Sequence, residues 1–495
     1  MTTVLFLLFI TPLLTGAYIL FIPAEDVYSI RDISICNSIF LFFCSLILFR
    51  KFDCINSNFQ FCYHSDGFLL DEFFLQFLLG VDGFSLVFII LTTFIFSLCF
   101  WSIFFKHFIL LNLYVAFFFF LEFAILGTFL SLDLLLFFIF FEIILIPMVF
   151  IIGIWGSTLR KVRAMYLFLL YTAFGSIFIL FAIFLIILEK QSTNFFYLFY
   201  NTLPFVKDKQ IILWFSLVLG LAVKIPMFPV HIWLPEAHVE APTEGSIVLA
   251  SLLLKLGGYG FFRTVLPLCP QATLYYLPII YSFCLFGILF CSLIALRQND
   301  LKKIIAYSSV AHMNLIVLGI FSINIQGIQG SILMMMGHAF CSSGLFFLIG
   351  CLYDRHKNRL LNYYGGLVQS MPGFAFIFFF YSLTNFSFPG TSNFVGEILI
   401  LIGIFEMNTL VMVLAACSGI ITITYSIWLF NRIVFGTIKF NYIKYYTDLF
   451  MWELEVLGYL SIAILVIGLH PNFILDVSLF NSMQLLQFFN IGCIA

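Results

Sequence analysis

Long uninterrupted apolar runs, such as Phe88-Ile89-Ile90-Leu91-Thr92-Thr93-Phe94-Ile95-Phe96, fill almost the whole chain and are separated by short polar stretches. A helix that crosses a bilayer needs about 20 apolar residues in succession. The pattern predicts fourteen such helices, centred near residues 13, 42, 93, 119, 142, 176, 219, 254, 284, 311, 340, 388, 421 and 464. A membrane β-barrel is excluded, because its strands run about 10 residues and alternate apolar with polar positions. The chain is therefore read as an all-α polytopic membrane protein.

Two of the predicted spans are interrupted. The seventh carries Pro226, Pro229, Pro235 and Pro242, and the twelfth is broken at Pro389-Gly390. Proline deprives a helix of a backbone donor and clashes with the preceding turn. Broken helices at matching places in two halves of a membrane protein point to inverted repeats around an ion path near mid-membrane. The expected organisation is helices 1–3 with a polar loop at 50–82 (residues 1–107), a first repeat of helices 4–8 (108–270), a second repeat of helices 9–13 (271–436), and a last helix with a tail (437–495).

Composition agrees: 63% of the 495 residues are hydrophobic and 9% are charged. The net charge of −2 says nothing about nucleic acid, which is not among the expected partners. The expected partners are lipid, other membrane subunits, protons and internal water. Phe supplies 70 residues, many where Leu, Ile or Val would serve equally. That bias, with no Arg/Ser-rich presequence before the first helix, favours a chain encoded inside an organelle. The twelve cysteines lie scattered with no C-x-x-C, and no nucleotide loop is present. No metal or cofactor is expected on this chain. The glycines of Leu256-Gly257-Gly258-Tyr259-Gly260 are expected to serve close helix packing.

The positions of the basic residues orient the chain. Loops after odd-numbered spans hold fourteen of the twenty-two Lys and Arg: Arg31, Lys106, Arg160, Lys161, Arg163, Arg297, Lys302, Lys303, Arg355, Lys357, Arg359, Arg432, Lys439 and Lys444. Loops after even-numbered spans hold six: Arg50, Lys51, Lys190, Lys207, Lys209 and Arg263. The odd loops should face the negative side, a mitochondrial matrix, and both termini the intermembrane space.

Lys224 and Lys255 fall inside spans, with Glu122, Glu142 and Glu397. A charge near the bilayer centre costs roughly 2.5–3.5 kcal/mol on insertion scales. Five together cost on the order of 10–15 kcal/mol, about the whole stability of a protein at roughly 5–15 kcal/mol. They must pair, be hydrated or lose their charge. If the helices of Glu142 and Lys224 touch, each alters the other's proton affinity and the two titrate as one unit. Lys255 is a second candidate proton carrier. His312 and His338 suit a relay because imidazole exchanges protons near neutral pH, although either alone is as readily a satisfied core residue. Glu397 follows the break in the second half, as Lys224 precedes the break in the first. Glu122 and Asp133 are accessory candidates, the latter near a span end where it can be wet. His231, Glu236, His238 and Glu240 surround the break of span seven. Capping and hydration of that break explain them better than a metal does. Glu244 either pairs with Lys224 or faces water.

The segment from Val223-Lys224-Ile225-Pro226 through Pro235-Glu236-Ala237-His238-Val239-Glu240-Ala241-Pro242-Thr243 resembles the antiporter-like subunits of mitochondrial NADH:ubiquinone oxidoreductase, respiratory complex I. So do Leu301-Lys302-Lys303 through His312-Met313-Asn314, Leu352 to Lys357, Gly80-Val81-Asp82-Gly83 and Phe388-Pro389-Gly390-Thr391-Ser392. The resemblance is colinear over roughly residues 75–470. It implies a fourteen-helix fold, proton movement coupled to quinone reduction elsewhere, and FMN, iron–sulfur clusters and ubiquinone on other subunits. By position it gives Glu142 and Lys224 the role of coupling pair, Lys255 that of central lysine, His312 and His338 the relay, and Glu397 the end of the channel. The glutamate at 397 and the absence of a long lateral helix favour the chain 4 type over the sister chains 2 and 5, which become expected partners. A membrane subunit of a multisubunit cation/proton antiporter is the alternative reading of the same residues.

Overall fold

The structure is a computed structural model that describes residues 1–64, 77–201, 205–439 and 446–494. Lys444, counted above among the basic loop residues, lies outside the described residues.

Helices dominate because a chain in lipid must satisfy its backbone donors and acceptors within each segment. In chain order they are α1 (Thr2–Phe21), α2 (Val27–Lys51), α3 (Gly83–Phe105), α4 (Leu111–Leu130), α5 (Leu134–Trp155), α6 (Lys161–Lys190), α7 (Lys207–Lys224), α8 (Trp233–Glu240), α9 (Thr243–Leu268), α10 (Pro270–Arg297), α11 (Leu301–Ile320), α12 (Ile325–His356), α13 (Pro372–Asn385), α14 (Ser392–Met407), α15 (Thr409–Val434), α16 (Met451–Leu469) and α17 (Asn472–Ile494). Among the described residues, twelve of them are long and apolar enough to cross a membrane. Each coincides with a span expected from the pattern. The other two expected spans fall on pairs of shorter helices. α7 ends at Lys224 and helix resumes at Trp233, while α13 ends at Asn385 and α14 begins at Ser392. Gly390, with φ of +92°, occupies backbone space that a side chain rarely tolerates, which suits it to the second interruption.

Two details differ from the sequence pattern. Arg31, placed in a loop, lies in the second turn of α2, buried, and donates to the Lys106 carbonyl at 2.6 Å. Arg263, also placed in a loop, lies inside α9. The polar stretch after α2 contains a short antiparallel strand pair, β1 (Gln60–His64) with β2 (Leu78–Val81), in which Gln60 pairs with Val81. It ends at Asp82, whose carboxylate caps α3 by accepting from Ser85 N at 3.0 Å while Ser85 Oγ accepts from Asp82 N at 2.9 Å.

The chain forms two compact units. The first comprises Met1–Lys224, Leu256–Leu277 and Asp476–Ala495. Inside it α3 and α4 are mostly buried, whereas α1, α2 and α6 present much of their surface outward. α6 and α7 approach closely because a Cβ on Gly175 would come within 3.0 Å of the Gly220 carbonyl and of Val223 Cβ. Gly220 precedes Lys224 by one helical turn, so this contact sets the height and facing of the lysine.

The second unit comprises Ile225–Lys255 and Pro278–Leu475. α12 is buried along its apolar length and α11 nearly so, while α15 and α16 face outward. α12 and α14 pack backbone to backbone at Gly330 and Gly396, where an added Cβ would meet Ile400 N and Met334 N at 2.7 Å. Small residues of this kind let membrane helices come close enough for polar side chains to meet.

Candidate functional site

In the first unit α5 carries Glu142. Pro147 cannot donate to the carbonyl of Ile143, and the helical ladder of α5 is interrupted at Ile144. The Glu142 Oε1 lies 3.8 Å from Lys224 Nζ, and Ser176 of α6 also faces the carboxylate. The ammonium sits 4.2 Å from the centre of the Phe141 ring, a further favourable contact for a cation. The pair is asymmetric. A quarter of the Glu142 side chain is exposed, against 9% for Lys224. A carboxylate at the protein surface can respond to a neighbouring charge, and the lysine behind it feels the change.

In the second unit Lys255 is fully buried, donates to the Ala250 carbonyl at 2.5 Å and shares a hydrogen bond with His338 Nδ1 at 2.9 Å. The carbonyl is presented by a π-helical turn over Leu249–Leu253. Such a turn breaks the regular ladder and turns a carbonyl toward other donors. His338 stands on α12 beside Gly337, where α12 and α14 approach, and its ring centre is 5.6 Å from that of His312 on α11. The three groups lie next to one another in the buried interior of the unit. Glu397, on α14, faces Ser387 in the interruption that precedes that helix.

The accessory candidates separate. Glu122 is fully buried and neither of its oxygens has a hydrogen-bond partner among the described residues. Asp133 is not wet: it is fully buried and caps α5 through Leu135 N at 2.8 Å and Leu136 N at 3.3 Å, while accepting from Thr193 Oγ1 at 2.7 Å. Its position just before a helix made it look exposed, whereas the capping geometry draws it inward. Glu244 does not face water either, since it is fully buried in the first turn of α9.

His231 is buried against Phe228 and Tyr307. His238 is fully buried, stacks on Phe346 at 4.6 Å and has neither ring nitrogen hydrogen-bonded among the described residues. Glu236 and Glu240, one turn apart on α8, pair with Lys303 at 2.8 Å and Arg359 at 3.5 Å. Lys302 donates to the Ala241 carbonyl at the end of α8 at 2.8 Å. Lys302 and Lys303 at the start of α11, with Arg359 after α12, thus do more than orient the chain; they hold the short helix α8 in place.

A pair absent from the sequence reading is Asp82 with Arg263. Both Asp82 oxygens accept from the guanidinium at 2.9 Å, Tyr259 Oη accepts from it at 3.0 and 2.8 Å, and the rings of Phe59, Phe195 and Tyr259 pack around it. The signal available was the Gly80-Val81-Asp82-Gly83 run and a lone arginine in an apolar stretch. Neither indicates the other, 181 residues away.

Residues 131–422 match the family model described as NADH:quinone oxidoreductase/Mrp antiporter, transmembrane. The chain is 48% identical to NADH-ubiquinone oxidoreductase chain 4 of Arabidopsis thaliana, over 95% of this chain and 94% of that protein. It is 47% identical to the protein of the same name from Marchantia polymorpha, again over 95% and 94%. A chain in the solved structure of respiratory complex I from Thermus thermophilus with bound NADH superposes with a TM-score of 0.87, at 25% identity, over 98% of this chain and 99% of that one. These matches run along nearly the whole length and include the stretches that carry Glu142, Lys224, Lys255, His312, His338 and Glu397, so this chain belongs to the family of antiporter-like membrane subunits and, within it, to the NADH-ubiquinone oxidoreductase chain 4 group.

Proposed function

We propose that this chain is the proton-translocating, antiporter-like subunit in the membrane arm of an NADH:ubiquinone oxidoreductase, and that it couples electron transfer elsewhere in the complex to proton movement. The observation that carries the mechanism is the continuous hydrogen-bonded contact from Lys255 to His338, with His312 beside it, deep in an apolar unit. A merely structural lysine in lipid would be paired with a carboxylate. This one has a carbonyl and an imidazole, which hold the proton well enough to store it and release it to a neighbour.

Glu142 and Lys224 act as the switchable input of the first unit, and Glu397 as the end of the path in the second. Helices expected at 108–270 and 271–436 are read as two inverted repeats, on the strength of the two broken helices. FMN, iron–sulfur clusters and ubiquinone belong to other subunits, and this chain carries no redox centre. The sister chains 2 and 5 are its neighbours in the membrane arm. The odd-numbered loops face the mitochondrial matrix and the termini the intermembrane space, a reading supported by the excess of basic residues in the odd loops.

Lys255→Met in an assembled complex reconstituted in proteoliposomes tests the function. Fewer protons moved per NADH oxidised is the expected result, and an unchanged ratio would sink the assignment. A cation/proton antiporter subunit shares this fold and remains the competing reading. Native electrophoresis separates the two, since only an oxidoreductase subunit comigrates with NADH-dependent dye reduction.

A further inference from the structure

We infer that Tyr425 is a proton-relay residue between His312 and Glu397, positioned by Asn385. This inference rests on the proposed reading of Glu397 as the end of the path. His312 faces Asn385, the last residue of α13 before the interruption. The Tyr425 hydroxyl, reaching over from α15, faces the same Asn385 and Ser308 of α11, one turn before His312, and it lies in the electrostatic field of Glu397. Three helices and the interruption therefore converge on one polar spot in the second unit.

The hydroxyl is unlike those of its counterparts. Tyr281 donates to the Phe321 carbonyl at 3.0 Å and Tyr381 to the Leu457 carbonyl at 2.9 Å, as buried phenols ordinarily do. Tyr425 is equally buried, yet its Oη, though it faces Asn385 and Ser308, reaches full hydrogen-bond geometry with no described residue. The same holds for His312 Nε2 and Ser387 Oγ, the groups that flank it in the proposed sequence. A buried polar atom left unpaired is costly. Three in one region are better served by bridging water, for which polar walls are the requirement.

A phenol in such a string relays a proton without ever holding a net charge. Its oxygen accepts a proton from the His312 side while its own O–H proton passes by way of water to the Glu397 carboxylate. Rotation of the hydroxyl then restores the starting arrangement. Asn385 does not carry the proton; its amide fixes the imidazole and the phenol relative to each other.

Tyr425→Phe deletes the hydroxyl and keeps the ring. In the assembled complex in proteoliposomes it is expected to lower the protons moved per NADH oxidised. A ratio equal to that of the unsubstituted complex overturns the inference. Asn385 supplies a second pair of variants should Tyr425→Phe not assemble. Asn385→Asp keeps a hydrogen-bonding group toward both neighbours and should retain most of the ratio, whereas Asn385→Leu should lose it. Packing alone predicts the reverse, with Leu harmless and a buried Asp damaging, and that outcome also overturns the inference. Glu397→Gln is measured alongside. If it lowers the ratio while Tyr425→Phe does not, only the relay role of Tyr425 fails; if neither lowers it, the reading of Glu397 fails as well.

Discussion

Nζ of Lys255 lies 2.9 Å from Nδ1 of His338, joining α9 and α12 across 83 residues of chain. The contact passes a proton only if the two groups work together. Lys255→Met and His338→Phe should each lower the protons moved per NADH oxidised. The double variant should be no worse than the stronger single one, because residues that share one interaction are not additive. Additive losses in assembled complexes would assign the two groups to separate paths.

Glu142 faces Lys224 at 3.8 Å from a partly exposed position. Glu142→Ala should slow both NADH:quinone turnover and proton uptake, because the lysine loses the charge that tunes it. Glu142→Asp retains the charge and should be milder. The measurement is coupled turnover in proteoliposomes with assembly quantified separately, and full activity of Glu142→Ala in assembled complex refutes the coupling role.

The Asp82–Arg263 pair is a matter of stability. Removing one partner of a buried ion pair leaves the other uncompensated, at a cost of about 3–5 kcal/mol. Asp82→Ala also removes the cap of α3. It should reduce the amount of assembled complex and its thermal stability. Lys209→Ala, which breaks an exposed pair with Glu189, should cost about 1 kcal/mol or less. Blue-native yield and thermal inactivation of the two variants check the contrast, and equal behaviour contradicts it.

Orientation is checked by thiol labelling. Leu159 is 95% exposed beside Arg160 and Lys161, and Lys357 is exposed at the end of α12. Leu159→Cys and Lys357→Cys should react with an impermeant maleimide from the matrix side only. Ile55→Cys, in the loop after α2, should react from the opposite side, and the reverse pattern inverts the proposed topology.

Much of this protein was legible without its tertiary structure. Twelve predicted spans coincide with continuous helices because a 20-residue apolar run in lipid has no other way to satisfy its backbone, whatever its neighbours. The candidate charges were legible for a related reason. An ionisable residue inside such a run is too costly to be incidental, so Glu142, Lys224, Lys255 and Glu397 stood out by type and depth alone. The family was legible too, since its motifs are contiguous segments.

What the sequence did not determine is which of those groups meet. Glu142, on α5, meets a lysine whose height on α7 is set by the close approach of α6 at Gly175 and Gly220, and His338 reaches Lys255 where a π-helical turn of α9 and a glycine-lined face of α12 come together. Asp133 turned inward to cap a helix and Arg263 found Asp82 for similar reasons. No local period encodes such meetings. They depend on how close two backbones come and how far each helix is rotated, and only the packing of segments distant in sequence decides both.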